Sequence, residues 1–254
     1  MELKSIDGGQ GFDFGKTSAA YAAFRDIYPK ELYGRLSALG VAADGSSWLD
    51  LGTGTGVLPK NLYNPNARIV GADISAAQIA FAEKEAENDH LHIRYLTASA
   101  ENTGLPSHNF DAITAAQCFF YFDREKMKRE IARLLKPGGI FIKVFMDWSE
   151  SDPVAGPSVA LVRQMNPAWR SGDAALRDMA DDLFPGRVSE SFFADLPFTR
   201  ESWHGRMCAC RGTLASMDPA TFNQWETAHL RLLRQFPESF AVRHQIMLSC
   251  FRFR

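Results

Sequence analysis

The chain has 254 residues, 46% of them hydrophobic and 23% charged, enough to bury one sizeable core with an appended cap. Lys and Arg number 28 against 30 Asp and Glu, a net charge of −2, which excludes the electrostatic footprint of a nucleic-acid or anionic-membrane binder. The opening MELKSIDGG has no apolar signal core and no stretch is long enough to span a bilayer, so a cytoplasmic protein with no membrane and no nucleic-acid partner is expected.

In chain order, residues 1–45 read as a helical leader. Apolar residues recur at helical spacing at Tyr21, Phe24, Ile27, Leu32, Leu36 and Leu39, interrupted by Pro29 and closed by Gly40. Over residues 46–146 strands and helices alternate: strand Ser47 to Leu51, a helix from Val57, strand Ile69 to Asp73, a helix from Ser75, then strands Ile93 to Leu96 and Phe110 to Ala115. Helix Asp123 to Leu135 and strand Ile140 to Phe145 complete this core, with Ser75 and Asp123 as helix caps. Residues 147–187 carry Pro153, Pro157, Pro167 and Pro185 and read as a helical insertion, with runs near Val159 to Met165 and Ala174 to Leu183. Residues 188–254 hold a last pair of strands, Val188 to Leu196 and Gln245 to Phe253, separated by a helix from Pro219 to Phe236. The pattern predicts a single α/β domain, a doubly wound, Rossmann-like, mostly parallel seven-stranded sheet whose leader and insertion form a cap.

The most informative stretch is Trp48 to Gly56, WLDLGTGTG, followed by IVGADIS with its acidic Asp73. Three glycines at alternate positions after a buried strand leave a turn without β-carbons on one side, on which a ligand can lie directly against backbone. Asp73 ends the second strand at the distance where doubly wound folds set a carboxylate against a ribose diol. Gly52, Gly54 and Gly56 give Gly-x-Gly-x-Gly, with Val57 and Pro59 where a dinucleotide fingerprint needs its third glycine, so nicotinamide and flavin fit poorly. No Gly-Lys-Ser/Thr closes the turn, which excludes a P-loop.

With these residues the chain resembles the class I S-adenosylmethionine-dependent methyltransferases, more narrowly the branch acting on small molecules and quinone-like substrates. The resemblance covers about Ser46 to Met146 in four blocks: Asp50 to Gly56, Asp73, Ala98-Ser99-Ala100-Glu101-Asn102, and the Phe110-Asp111 strand with the later Leu134-Leu135-Lys136-Pro137-Gly138-Gly139 turn. It implies S-adenosyl-L-methionine as cofactor and S-adenosyl-L-homocysteine as product. It also implies a cofactor site built from Asp50, Gly52, Thr53, Gly54, Gly56, Asp73, Ile74, Ser99, Ala100, Glu101, Ala116 and Gln117. Gly52 and Gly54 would face the methionine part, Asp73 would accept from both ribose hydroxyls, Ile74 would pack on adenine and Ala100 would offer its amide to the adenine edge. The family often has Asp where this chain has Ser99, so either the Ser99 hydroxyl or Glu101 takes over the contact to the exocyclic amine. Related enzymes with a similar leader suggest that Tyr21 and Arg25 reach the cofactor's carboxylate, and the family's last two strands form an antiparallel pair.

The methyl acceptor is expected to be a small molecule, with oxygen, nitrogen, sulfur and carbon acceptors all open and the oligomeric state unknown. A sulfonium already carries an activated methyl group, so the protein mainly has to align a nucleophile in line with the carbon–sulfur bond. Gln117 and Tyr121, after the fourth strand, are candidates to touch cofactor or acceptor; the aromatic run Phe119, Phe120, Phe122 packs the next helix in the structural reading. Phe14, Tyr21, Trp148, Trp169 and Trp203 would line an apolar or cation-accepting pocket or else belong to the core. His204, His229 and His244 are structural unless the acceptor needs a base, for which His204 is preferred. Cys118, Cys208, Cys210 and Cys250 lack zinc-site spacing, so buried thiols and no metal are expected, with an arsenite methyltransferase as the alternative. Asn166-Pro167-Ala168-Trp169 imitates a base-flipping motif but stands far from the fourth strand, after which that motif belongs, and this argues against a nucleic-acid methyltransferase. The rival of a different class is a module that binds the cofactor and transfers nothing.

Overall fold

A computed structural model describes residue 7, residues 28–170 and residues 172–253. The described chain forms two compact units: residues 29–145, 175–191 and 247–253 make the first, and residues 7, 28, 146–170, 172–174 and 192–246 the second.

In the first unit, helix α1 (Lys30–Ala38) starts directly after Pro29 and buries Leu32 and Leu36 on one face. Positions 17–27 of the predicted leader, with Tyr21 and Arg25, lie outside the described residues. Strand β1 (Ser47–Leu51) is buried at every position and pairs in parallel with β2 (Arg68–Asp73) on one side and β4 (Phe110–Ala116) on the other. Strand β3 (Arg94–Thr97) adds to β2, and β5 (Leu135–Trp148) adds to β4, both parallel. With β6 (Val188–Thr199) and β7 (Ser239–Arg252) the sheet has seven strands in the order β3-β2-β1-β4-β5-β7-β6. The Ser149 amide bonds the Arg243 carbonyl and the Phe253 amide bonds the Gly139 carbonyl, so β7 runs opposite to β5. Short α2 (Val57–Asn61), α3 (Ala76–Asn88) and α4 (Arg124–Leu134) connect the parallel strands. The Ser75 and Asp123 side chains accept the Gln78 and Lys126 amides, which fixes the starts of α3 and α4 as the sequence predicts. Helix α4 buries Met127, Glu130, Ile131 and Leu134 at helical spacing; Glu130 is tolerated because it accepts from Thr103 and from Arg133.

Several boundaries differ from expectation. The Lys136-Pro137-Gly138-Gly139 turn does not precede β5 but bulges inside it, since Phe110 pairs with Leu135 and Ala112 already with Ile140. Strand β7 starts at Ser239, six residues before the predicted Gln245, and β6 runs on through Pro197 to Thr199; as the last strand of the sheet it tolerates a missing N–H.

The second unit contains α5 (Ala155–Met165), α7 (Arg200–Cys208) and α8 (Pro219–Leu233); α6 (Asp173–Ala180) straddles the division between units. Helix α7 was not anticipated, although Thr199 and Ser202 form a reciprocal cap at its start. Both α5 and α7 pack on α8, whose N-terminus has Asp218 as cap and Pro219 in its first turn.

Candidate cofactor site

The glycine loop leaves β1 at the carboxyl edge of the parallel strands. Gly52, Gly54 and Gly56 all have positive φ, 64°, 57° and 79°. At Gly52 a β-carbon would stand 2.6 Å from Cys118 Sγ and 2.9 Å from its Cβ, so both conformation and space demand glycine. A β-carbon on Gly56 would collide with the Tyr95 hydroxyl, and Gly71 in β2 leaves room for the same ring. Cys118 Sγ donates to the Leu51 carbonyl at 3.2 Å and thereby ties the exit of β4 to the exit of β1.

Asp73, half-buried at the end of β2, holds the loop from the other side. Its Oδ2 accepts the Gly54 amide at 2.9 Å and its Oδ1 the Ser75 amide at 2.8 Å, while Thr53 donates its amide to the Ala72 carbonyl at 3.0 Å. Burial pushes the Asp73 carboxyl up, and the amides of Ser75, Gly54 and Ile74 oppose that shift. Next to it, Ile74 is 65% exposed, an apolar side chain without a covering partner at the mouth of the sheet. Asp50, in the middle of β1, is 2% exposed and accepts from Thr114 Oγ1 at 2.6 Å, which in turn accepts from Trp48 Nε1 at 2.8 Å. Burial raises its carboxyl to about 7, against the hydrogen bonds of Thr114 and Thr53.

After β3, the Ala98 amide bonds the Asp73 carbonyl at 2.9 Å, and Ser99 through Asn102 form a tight turn. Ala100 is buried, while Ser99 Oγ donates to Glu101 Oε2 at 2.5 Å and Glu101 Oε1 accepts the Asp123 amide at 3.0 Å. After β4, Ala116 is followed by Gln117 in the left-handed region (φ 62°), its amide held by the Val144 carbonyl at 2.9 Å. A left-handed non-glycine residue costs about 1 kcal/mol or more and persists where its surroundings dictate it, often at functional sites. Phe119 to Tyr121 form one 3₁₀ turn: Phe119 is buried against Phe141, Phe120 meets Phe145 edge-on, and Tyr121 lies against Phe120 with ring centroids 4.2 Å apart. Phe119 belongs to the core cluster that holds Met127, Ile131 and Leu134 of α4, and Phe122 packs against that cluster, whereas Phe120 packs against Phe145 of β5.

Beneath this turn lies a feature the sequence reading passed over. Lys143, buried in β5, donates to the Asp178 carbonyl, pairs with the Asp178 carboxylate at 3.3 Å and sits 5.3 Å from the Phe119 ring and 5.7 Å from the Phe251 ring. Burial lowers its ammonium pKa and Asp178 raises it. Its flanks, Ile-Phe-Ile before and Val-Phe-Met after, were the only signal that this lysine would be inside.

Gln117 and Tyr121 thus share the first unit with the glycine loop, Asp73 and Ser99, whereas His204 belongs to the second. There His204 Nδ1 meets His229 Nδ1 at 2.9 Å, and His229 Nε2 meets Ser158 Oγ at 3.1 Å. Burial pushes His229 down to about 3 and lowers His204. Trp148, Trp169 and Trp203 are buried, and Trp203 Nε1 donates to Ser158 Oγ at 3.0 Å, so all three are core. Asn166 donates to the Gly212 carbonyl and to Ser216 Oγ, both at 3.0 Å, and the Trp169 ring fills the space that a β-carbon on Gly212 would need: their motif is a structural clasp. All four cysteines are free, and among the described residues no cluster of three or more His, Cys, Asp or Glu side chains could hold a metal. No described helix is long and apolar enough to cross a membrane.

The strand order, the glycine loop after β1 and an acid closing β2 define a Rossmann-like nucleotide-site fold of the class I methyltransferase type. Known proteins agree. Residues 49–143 match the model of the methyltransferase domain family. A demethylmenaquinone methyltransferase of Thermus thermophilus is 44% identical over 94 residues, 36% of this chain and 43% of that protein. The chain therefore spans less than half the length of that relative. An uncharacterized methyltransferase of Schizosaccharomyces pombe is 28% identical over 177 residues, 69% of this chain and 67% of the relative. Among solved structures, a provisionally assigned type II methyltransferase from Anaeromyxobacter dehalogenans superposes with a TM-score of 0.62 at 22% identity, covering 90% of this chain and 97% of that one, a likeness of fold.

Proposed function

We propose that this chain transfers the methyl group of S-adenosylmethionine to a small apolar acceptor and releases S-adenosylhomocysteine. The observation that carries the reading is the Asp73 carboxylate, each of whose oxygens holds one loop amide and keeps a further lone pair for a ribose hydroxyl, beside the exposed Ile74. An S-adenosyl group suits these residues: Gly52, Thr53, Gly54 and Gly56 offer bare backbone to its amino-acid part, the buried Asp50 carboxyl stands behind them, and Ile74 offers a face to adenine. Ser99, Ala100 and Glu101 would meet the adenine edge, and Ala116, Gln117 and Tyr121 would flank the reacting methyl group. The bound cofactor supplies an activated methyl on a sulfonium, so these residues need only orient the partners and exclude water. The name of the Thermus relative favours a quinol-like ring as acceptor, and four free thiols suit a reducing cytosol. The test is S-adenosylhomocysteine release by purified protein given S-adenosylmethionine and a panel of quinols, phenols and amines. Turnover with any panel member supports the reading, and tight cofactor binding with no turnover across the panel replaces it by a binding module.

A further inference from the structure

At the opposite end of the first unit's strands from the glycine loop, residues 65–69 and 92–94 frame an open groove of about 620 Å³ at the starts of β2 and β3. It begins roughly 16 Å along β2 from Asp73. Val70 pairs with Arg94, and side chains alternate along a strand, so Arg68, Val70 and Arg94 share one face of the sheet. Neutral acceptors orient Arg68: its Nε donates to Ser47 Oγ at 3.0 Å, and its Nη2 to the Asn109 carbonyl at 2.9 Å and to Asn109 Oδ1 at 2.7 Å. Among the described residues no carboxylate pairs with Arg68, and the side chains of Arg94 and His92 have no hydrogen-bond or ion-pair partner. The acids beside this wall are engaged elsewhere. Asp111 Oδ2 accepts the Ser47 amide at 2.8 Å and Lys136 Nζ at 2.7 Å, and Asp44 Oδ1 accepts from Asn64 at 2.7 Å and from Asn66 at 3.4 Å. By contrast Arg35, Arg124, Arg163 and Arg187 each pair with a carboxylate.

We propose that this groove binds the phosphoryl group of a small organic phosphate, with Arg68 and Arg94 as its charged contacts. Two like charges on one sheet face repel each other, and an anion shared by both turns that repulsion into attraction. A guanidinium presents its N–H donors as a planar fork that fits two phosphoryl oxygens, and Arg68, already oriented through Nε and Nη2, gives up little side-chain freedom on binding. The His92 ring and the apolar Pro65 and Ile93 belong to the same lining, which contains no carboxylate and offers a wall to the organic part of the ligand. The volume is that of a small-molecule site.

The probe is 1-naphthyl phosphate, titrated calorimetrically into the full chain in phosphate-free buffer at low salt, with 1-naphthol and sulfate as comparisons. Two charge-assisted contacts should give a Kd below about 1 mM. Naphthol, without the anion, and sulfate, without the apolar body, should each bind at least about tenfold more weakly. Arg94→Gln is the clean variant, because Arg94 has no partner among the described residues to lose; it should weaken binding at least about tenfold. Arg68→Gln should weaken it as much, although it also gives up the bonds to Ser47 and Asn109. Arg129→Gln, at an exposed place on α4, should leave the affinity within about twofold of wild type. Saturating S-adenosylhomocysteine should not displace the probe, and displacement would put the probe at the nucleotide site and overturn the groove. Wild type that does not bind the probe, an Arg94→Gln protein with wild-type affinity, or an Arg129→Gln protein weakened as much as Arg94→Gln also overturns the proposal. Sulfate bound as tightly as the probe overturns the organic phosphate as ligand.

Discussion

Asp73→Ala should act on this protein twice, because the carboxylate both braces the glycine loop and faces the place proposed for the ribose. In the unliganded protein the change removes two charge-assisted bonds, from Gly54 at 2.9 Å and Ser75 at 2.8 Å, and leaves both amides without their partner. Bonds to a charged group contribute about 1.5–3 kcal/mol each, but burial already penalises this carboxylate, so a net loss of about 2 kcal/mol is expected. For a chain of this size that corresponds to a fall in melting temperature of about 4–8 °C. On cofactor binding, loss of the ribose contacts should remove a further ~1.5–3 kcal/mol, or about ten- to a hundredfold in affinity. Asp73→Asn keeps one acceptor but turns an NH₂ group on an amide, so it should weaken binding as well. Scanning calorimetry of the unliganded protein and titration with S-adenosylhomocysteine separate the two effects. A lower melting temperature with affinity within twofold of wild type would refute the ribose role and leave Asp73 as a loop brace.

Gly52→Ala forces an alanine to φ 64° with its Cβ 2.6 Å from Cys118 Sγ, which should cost about 2–4 kcal/mol in chemical denaturation. Adding Cys118→Ala should recover part of that loss, and no recovery would refute the steric account. Asp50 has a native carboxyl raised to about 7, so the folded state holds a proton that the unfolded chain releases near pH 4. Its contribution to stability is therefore greatest below pH 4 and is lost as pH rises to about 7; Asp50→Asn should flatten that stretch of a stability–pH profile. Lys143→Met takes its ion-pair partner from the half-buried Asp178 carboxylate and should cost about 3 kcal/mol, while a double change with Asp178→Leu should cost less than the sum of the two single changes in a double-mutant cycle.

The candidate cofactor site was legible because each of its parts leaves a local mark. Glycines at alternate positions, an acid closing an apolar run, and Ser75 and Asp123 before helix-forming stretches report backbone geometry that short-range sterics and hydrogen bonding impose. The partners of those parts left none. Cys118 packed on Gly52, Tyr95 filling the space above Gly56 and Gly71, and Lys143 under Phe119 join residues from different strands, and nothing in the spacing of either partner announces the other. His204 shows the limit most plainly: its neighbour Trp203 suggested a pocket wall, whereas the folded chain sets the imidazole against a fully buried histidine.

By itself the sequence determined the alternation of strands and helices, the glycine bend after β1 and the acid beside it, since these follow from periodicity and from the few residues able to adopt positive φ. Only the tertiary structure decided where β5 bulges, where β7 begins, and which way the Ser99 proton is turned. Strand pairing and hydrogen-bond polarity depend on groups far apart along the chain, and which of them meet is settled when the sheet closes and water leaves its core.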